Sequence, residues 1–401
     1  MYEFHATTYP LRVHSGQHAL AGLPAELDRC GAKRALVVCG KSVAERTDLV
    51  ERIRALLGER MVGVYAGIAK DAPVDCVLDA VEKARECQAD ILLAVGAGSV
   101  IKATRIIAIL LAENRPIDQL ITQYPDNGRP ISPKLNAPKC PIVNILTAAT
   151  SAQNRGGSAL KSESGGYRME FFDPKTRPLA VFWDADALLT APQSLALSTG
   201  VSVYWRALMN IGAVHKANPL VQASRYQAFR LAHNALPLVV DPADYRARID
   251  LCAAALLQNR DEDDGGRPFD MHWVTRVVYA LAAATFNLIP SIGQGQANAA
   301  LTGAAIRQFG GRCLDVTIGM GRAIGAWQDG MDEREAPLRV GNAVDELFRR
   351  FGMATRLRDL NVGKQQLAEV VQFSLKNFNA DRERSFASEV DLLTATLQDA
   401  W

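Results

Sequence analysis

The sequence predicts an α/β domain over residues 1–186 followed by an all-helical domain over residues 187–401. Three observations predict this. Short β-branched runs alternate with amphipathic helical patterns through the first half. After Asp184 the texture changes to long Ala/Leu-rich segments with few strand-like runs. A chain of 401 residues with 48% hydrophobic content is long enough for two domains with separate cores.

The strand-like runs are ALVVCG (35–40), MVGVYAG (61–67), ILLAVGAG (91–98), IVNILTA (142–148) and LAVFWDA (179–185). Amphipathic stretches at 42–59 and 74–88 lie between them. Strand, helix and strand at this spacing predict a parallel sheet with crossover helices. The proline-rich segment 125–138 reads as a surface excursion. Helices are expected at 193–213, 219–236, 242–258, 270–288, 292–308, 340–353, 364–377 and 386–400. The DEDDGG run at 261–266 reads as a solvated loop between helices, a cation site there being the lesser reading. There is no internal repeat.

A net charge of +2 with no basic, aromatic-studded stripe argues against a nucleic-acid partner. The opening MYEFHATTYPLRVHSG lacks the charged and apolar regions of a signal peptide. The apolar run ALAAATFNLIPSIG is broken by Asn287 and Pro290, so no membrane span is expected. The seven cysteines are scattered, form no CxxC, and read as reduced residues of a cytoplasmic protein.

Two local features carry chemistry. In ILLAVGAGSVIKATRIIAILLA a buried strand runs into Gly96-Ala97-Gly98-Ser99, and a helical pattern starts at once. Glycines there let a ligand approach the backbone, and a helix start offers free N–H groups to a phosphate. The same pattern also fits a tight turn that binds nothing. Lys102 and Arg105 follow on the first helical turns, where they meet phosphate or carboxylate, or simply solvent. In TGVSVYWRALMN (199–210) a helix that reads as buried carries Arg206, with no acid nearby in sequence. A buried guanidinium is costly unless something pairs with it.

From here the chain resembles a known family. GAGSVIKATR stands where the iron-containing alcohol dehydrogenase superfamily has GGGSxxDxAK, and ILTAATSAQN where it has a PTTxGTGSE-like loop. WDADALLTAPQSLALSTG is similar to the passage into its helical domain, and ATFNLIPSIGQGQANAALTGAAI to its HGxANA segment. RVHSGQHALAGLPAELDRCGAKRALVV resembles the opening of its maleylacetate reductase branch. The resemblance implies the dehydroquinate synthase-like fold: a dinucleotide-binding α/β domain, a helical domain, ligands in the cleft between them, and a homodimer.

It also implies where ligands would sit. Cofactor contacts fall on Gly96, Ala97, Gly98, Ser99, Gly40, Lys41, Thr147 and Thr150. Gly40-Lys41 brings no acid for a ribose 2′-OH, so NADPH is at least as expected as NADH. Lys102 and Arg105 replace the family's Asp or Gly and its Lys, and residues 150–154 replace most of its second loop. Many members hold a metal with one aspartate and three histidines. Those positions carry Ser202, Arg206, Arg276 (or, with a slip in register, Tyr279) and Gln294 here. Six histidines show no ligand-like spacing, so no metal is expected.

Ser202 and Arg206, four apart, share a helix face. Arg206 and Arg276 are expected to converge on a carboxylate or polarise a carbonyl, with Tyr204, Tyr279 or His272 donating a proton. Ser202, Lys102, Arg155 and Gln294 are expected substrate contacts. The expected function is a metal-independent NAD(P)H-dependent reductase of a small anionic, carboxylate-bearing carbonyl or enoyl substrate. The alternatives are a non-redox enzyme acting on an anionic substrate, and a catalytically silent ligand-binding homologue.

Overall fold

All five predicted runs form strands in the computed structural model, which is described for residues 3–125, 130–161, 168–267 and 272–401. The strands are β1 (Arg12–Gly16), β2 (Ala35–Cys39), β3 (Met61–Tyr65), β4 (Ile91–Gly96), β5 (Ile142–Leu146), β6 (Gly157–Lys161), β7 (Arg168–Phe172) and β8 (Ala180–Asp184). Six of them form one parallel sheet in the order β1-β8-β5-β4-β2-β3, while β6 and β7 pair antiparallel. Strands β2, β4, β5 and β8 are buried throughout, as expected of a parallel sheet covered on both faces. β1 is an edge strand of sequence RVHSG, too polar to announce itself.

The helices of this half are α1 (Leu23–Cys30), α2 (Lys41–Arg46), α3 (Leu49–Leu57), α4 (Val74–Glu86), α5 (Gly98–Ala112) and α6 (Ala185–Leu189). The single helix expected over 42–59 is broken at Thr47. Thr47 is extended, and its hydroxyl donates to the Val43 carbonyl at 2.6 Å, which closes the first segment.

Strand order places a switch point between β2 and β4, since the chain leaves β2 for β3 on one side and returns to β4 on the other. Ligands of open α/β sheets bind outside the carboxyl ends of strands at such points. Cys39 is in register with Val95, so Gly40 and Gly96 emerge side by side there.

The chain divides into two compact units: Tyr9–Ala196 with Asp241–Cys252, and Met1–Thr8 with Leu197–Val240 and Ala253–Trp401. The division thus comes some residues after the change of texture, and two short segments change sides. Arg248, 3% exposed, donates to the carbonyls of Leu188 (2.6 Å) and Ala191 (3.0 Å), tying 241–252 to the α/β unit. The Thr7 N–H donates to the Asp263 carbonyl at 2.7 Å, holding the first residues to the helical unit.

The later helices are α7 (Gln193–Gly212), α8 (Pro219–Ala235), α9 (Tyr245–Asp263), α10 (Trp273–Leu288), α11 (Gln294–Phe309), α12 (Leu314–Ala323), α13 (Ala336–Arg350), α14 (Leu367–Ser374) and α15 (Val390–Ala400). Helix α11 is the buried centre of its unit. A Cβ at Gly303 would collide with the Asp345 carboxylate of α13, so the small residues of α11 permit close packing.

The DEDDGG run corrects one expectation, because α9 continues through Asp263. Asp261 is fully buried and accepts two hydrogen bonds from Arg225, at 2.6 and 2.9 Å. A buried cation on α8 demanded that acid. Of the excursion 125–138, residues 126–129 lie outside the described residues, and Ile131 forms a bridge with Gln123. All seven cysteines are free thiols. No described helix is long and apolar enough to cross a membrane.

Candidate active site

Strand β4 delivers Gly96 to the carboxyl edge of the sheet. A Cβ there would meet the Val100 side chain at 2.8 Å, so this turn has room only for glycine. Ala97 is the extended N-cap of α5, and among the described residues no side chain caps that helix start. Its first N–H groups are therefore open to an anion, in the positive potential of a 15-residue helix.

The neighbouring strand closes over the turn. The Thr147 N–H donates to the Gly96 carbonyl at 3.1 Å, and a Cβ at Gly98 would lie 3.2 Å from the Thr150 hydroxyl. Gly40 caps α2 from the other side, and exposed Lys41 pairs loosely with Glu45 at 3.7 Å. Gly40, Lys41, Gly96, Ala97, Gly98, Ser99, Thr147 and Thr150 thus gather at one edge of the sheet.

Two contributions to this edge were not anticipated. The Ser99 hydroxyl accepts the Asp71 N–H at 3.0 Å, and Asp71 and Ala72 both hold left-handed backbone (φ 63° and 50°). Only the aspartate hints at that turn in the sequence. Gln153, fully buried, is the second. Its side chain accepts the Trp183 indole N–H at 2.9 Å and donates to the Cys252 carbonyl at 2.8 Å. The Asn144 amide donates to the Gln153 carbonyl at 2.7 Å. The loop that departs most from the family pattern is thereby pinned to β5 and β8.

Lys102 is half-buried on α5. Arg105 is 1% exposed, with its acidity pushed to about 9 by burial and then by the charges of Arg155 and Arg177. It donates to the backbone carbonyl of half-buried Arg155.

In the helical unit, α7 presents Ser202 and Arg206. Ser202 is half-buried and donates to the Ser198 carbonyl at 3.3 Å. Arg206, 4% exposed, donates to the Asn259 side-chain oxygen at 2.9 Å and the Gln258 carbonyl at 2.7 Å. These two bonds fix the orientation of the guanidinium. The start of α11 lies against the same helix. A Cβ at Gly295 would collide with the Ser198 carbonyl, which sets exposed Gln294 near the Ser202 end of this face.

Three expected members do not join it. Arg276 donates to Asp381 at 2.7 Å, Ser385 at 2.7 Å and the Ala380 carbonyl at 2.8 Å. Its guanidinium also lies over the Trp273 ring at 4.6 Å. It shares neither acceptor with Arg206, and its charge is already matched by a carboxylate. Tyr204 is fully buried among Phe229, Phe348 and Phe351, with its hydroxyl 3.3 Å from His233 Nδ1. Two residues from both Ser202 and Arg206, it faces the far side of α7. Burial pushes its phenol well above the usual range, against proton donation. His272 is the N-cap of α10, its Nδ1 accepting the Thr275 N–H at 3.3 Å. Its Nε2 faces the Met209 carbonyl at 3.2 Å, and burial pushes its pKa down to about 4. The ring is neutral and committed. Tyr279 is half-buried on α10.

Ser202, Gln294, Arg206 and Arg276, which the resemblance alone sets at metal positions, bring a hydroxyl, a carboxamide and two guanidiniums, and a guanidinium has no lone pair to give a divalent cation. Among the described residues no three His, Cys, Asp or Glu side chains gather as a metal site elsewhere.

Comparison with known proteins now places the chain. Residues 10–185 match the family described as iron-containing alcohol dehydrogenase. The whole chain superposes on a 1,3-propanediol oxidoreductase with a TM-score of 0.80 at 22% identity, each chain covered over 100%. Residues 10–185 therefore resemble an iron-containing alcohol dehydrogenase domain in sequence, and the whole chain shares the fold of that solved oxidoreductase.

Its sequence relatives include several maleylacetate reductases. Maleylacetate reductase 2 of Cupriavidus pinatubonensis is 28% identical over 256 residues, covering 64% of this chain and 62% of that protein. Maleylacetate reductase of Sphingobium indicum is 24% identical over 356 residues, covering 83% and 90%. The structure of maleylacetate reductase from a Rhizobium species aligns with a TM-score of 0.75 at 21% identity, over 100% of this chain and 99% of that one. The first of these matches spans under two thirds of the relative's own length.

Proposed function

We propose that the protein is a metal-independent NAD(P)H-dependent reductase of a small carboxylate-bearing carbonyl or enoyl substrate, as in its maleylacetate reductase relatives. The main support is the bare start of α5 behind Gly96, whose first N–H groups carry no side-chain cap among the described residues. Gly96, Ala97, Gly98 and Ser99 would hold the pyrophosphate, with Thr147 and Thr150 closing over it. Gly40-Lys41 offers no carboxylate to a ribose 2′-OH, so a 2′-phosphate is tolerated and NADPH is a suitable form.

The bound nicotinamide supplies the hydride. The chain's own residues bind and polarise. Arg206, held by Asn259 and the Gln258 carbonyl, orients the substrate's carboxylate or developing oxyanion, doing by electrostatics what a Lewis acid does in metal-dependent chemistry. Ser202 and Gln294 supply further hydrogen bonds on that face, and Tyr279 the proton. The family reading also gives a cytoplasmic homodimer, which sedimentation of the purified protein checks.

Calorimetry with NADPH and NADH, followed by absorbance at the nicotinamide band across a panel of oxo acids after chelation, tests the proposal. Binding and oxidation that survive chelation are expected. Failure of both nucleotides to bind overturns it, and turnover of an anionic substrate without nicotinamide would establish a non-redox enzyme on this scaffold.

A further inference from the structure

The helical unit contains a cavity of about 490 Å³ that the proposed reaction does not use. Its size suits a small organic molecule. Leu236, Ile324, Leu347 and Phe351 supply apolar wall from the ends of α8, α12 and α13, and two polar side chains, His233 and Arg350, share the lining.

Both polar groups offer donors. Arg350 is exposed and has no ion pair or side-chain hydrogen bond among the described residues, although Arg349 beside it pairs with Glu346. His233 stacks on Phe229 with ring centres 5.3 Å apart, and its Nδ1 lies 3.3 Å from the Tyr204 hydroxyl. Tyr204 is fully buried and stays protonated, and its hydroxyl has no other acceptor in reach among the described residues, so the O–H donates and Nδ1 accepts. That fixes the neutral ring as the Nε2–H tautomer, with Nε2–H left to donate. Burial, then the Arg350 charge, lowers the histidine pKa and keeps it neutral.

An apolar cavity whose polar side chains are one cation and one N–H donor is complementary to a negatively charged acceptor on an apolar body. We infer that this cavity binds a small amphipathic carboxylate, an aryl-alkanoate or medium-chain alkanoate. The carboxylate sits on Arg350 and His233 Nε2–H, and the apolar body lies along Leu236, Leu347 and Phe351. This site stands apart from the Arg206 face, because Tyr204 and His233 lie on the far side of α7.

Titration of the full-length protein with 4-phenylbutanoate, octanoate and 4-phenylbutanamide tests this, together with a crystal soaked in 4-(4-bromophenyl)butanoate. Saturable binding of one or both acids is expected, and which acid binds more tightly distinguishes the aryl from the aliphatic class. The amide should bind at least about tenfold more weakly, since a charge-assisted contact is lost. The exposed variant Arg350→Glu should weaken acid binding by a similar factor or more while melting normally. His233→Phe, which keeps the bulk and removes the donor, should weaken it less. The anomalous bromine signal should fall between Leu236 and Leu347. Equal affinity for acid and amide, unchanged affinity in Arg350→Glu, a bromine site elsewhere only, or binding at crystal concentration only would each overturn the inference.

Discussion

Gln153 and Trp183 are joined by a hydrogen bond of 2.9 Å from the indole N–H to the glutamine side-chain oxygen, with the glutamine fully buried and the indole 6% exposed. The bond links the loop after β5 to β8, and the same amide reaches on to the Cys252 carbonyl. At first sight this loop is the chain's largest loss from the family pattern. Its Gln153 nonetheless finds partners in Trp183, Cys252 and Asn144, and the loop brings Thr150 against Gly98.

Gln153→Leu is therefore expected to destabilise the α/β unit strongly. It leaves the Trp183 N–H buried without a partner, at about 1–3 kcal/mol, while the Cys252 carbonyl keeps its bond within α9. A loss of about 1–3 kcal/mol in urea unfolding, with tryptophan fluorescence reporting the transition, is the expected outcome. A loss below about 0.5 kcal/mol, the scale of a neutral surface change, would mean that the loop is not held by this residue.

Gly98→Ala separates binding from folding. Its Cβ would sit 3.2 Å from the Thr150 hydroxyl, a contact that a shift of a few tenths of an ångström relieves. Stability should change by less than about 1 kcal/mol, while NADPH affinity falls by about tenfold as the added methyl occupies the open helix start. Calorimetry and thermal melting on the same sample decide. Gly96→Ala should do the reverse, its Cβ meeting Val100 at 2.8 Å, and cost about 1–3 kcal/mol of stability.

How far the sequence reveals this arrangement depends on the kind of signal. Buried parallel strands are visible as apolar runs, and the glycine turn stands out because one strand leads straight into it. Edge strand β1 is not visible, since RVHSG is polar on its open side. Helix α12 is missed because Gly319 and Gly321 interrupt its pattern. Those glycines permit close packing instead, Gly319 against the Gly212 backbone and Gly321 against Trp327. Long-range pairing is the main loss. Sequence spacing puts Arg206 and Ser202 on one face, but nothing in it says that Asn259 will hold Arg206 or that Asp381 will claim Arg276. The Asp261–Arg225 pair likewise turns an apparent solvated run into buried structure.

Stability should carry an acidic limb from His272. Its pKa is near 6.5 when unfolded and about 4 when folded, lowered chiefly by burial. Between those values the unfolded chain binds a proton that the native state refuses. Stability is thus complete above about pH 6.5 and declines as pH falls toward 4, by about 3 kcal/mol from this group. Urea midpoints of wild type and His272→Asn across that range are the measurement. The variant keeps an N-capping acceptor and should lose much of the slope. Equal slopes in the two proteins would show that His272 does not titrate in this way.

Arg206 and Arg276 should separate cleanly in their effects. Arg206→Lys retains a charge but loses the fork that donates to Asn259 and Gln258, so a folded protein with displaced charge is expected. Its kcat/KM for an oxo acid should fall about tenfold to a hundredfold, which is about 1.4–2.8 kcal/mol of transition-state stabilisation. Arg276→Ala acts on structure. It strands the Asp381 carboxylate, which is 1% exposed, although the Ser385 and Phe386 N–H groups still reach it at 3.0 and 2.7 Å. A cost of about 3 kcal/mol in unfolding is expected, with kcat/KM of the folded fraction near wild type. Should Arg276→Ala instead stay fully stable and lose turnover, the substrate charge would have to be received on α10, and the Arg206 face would lose its proposed role.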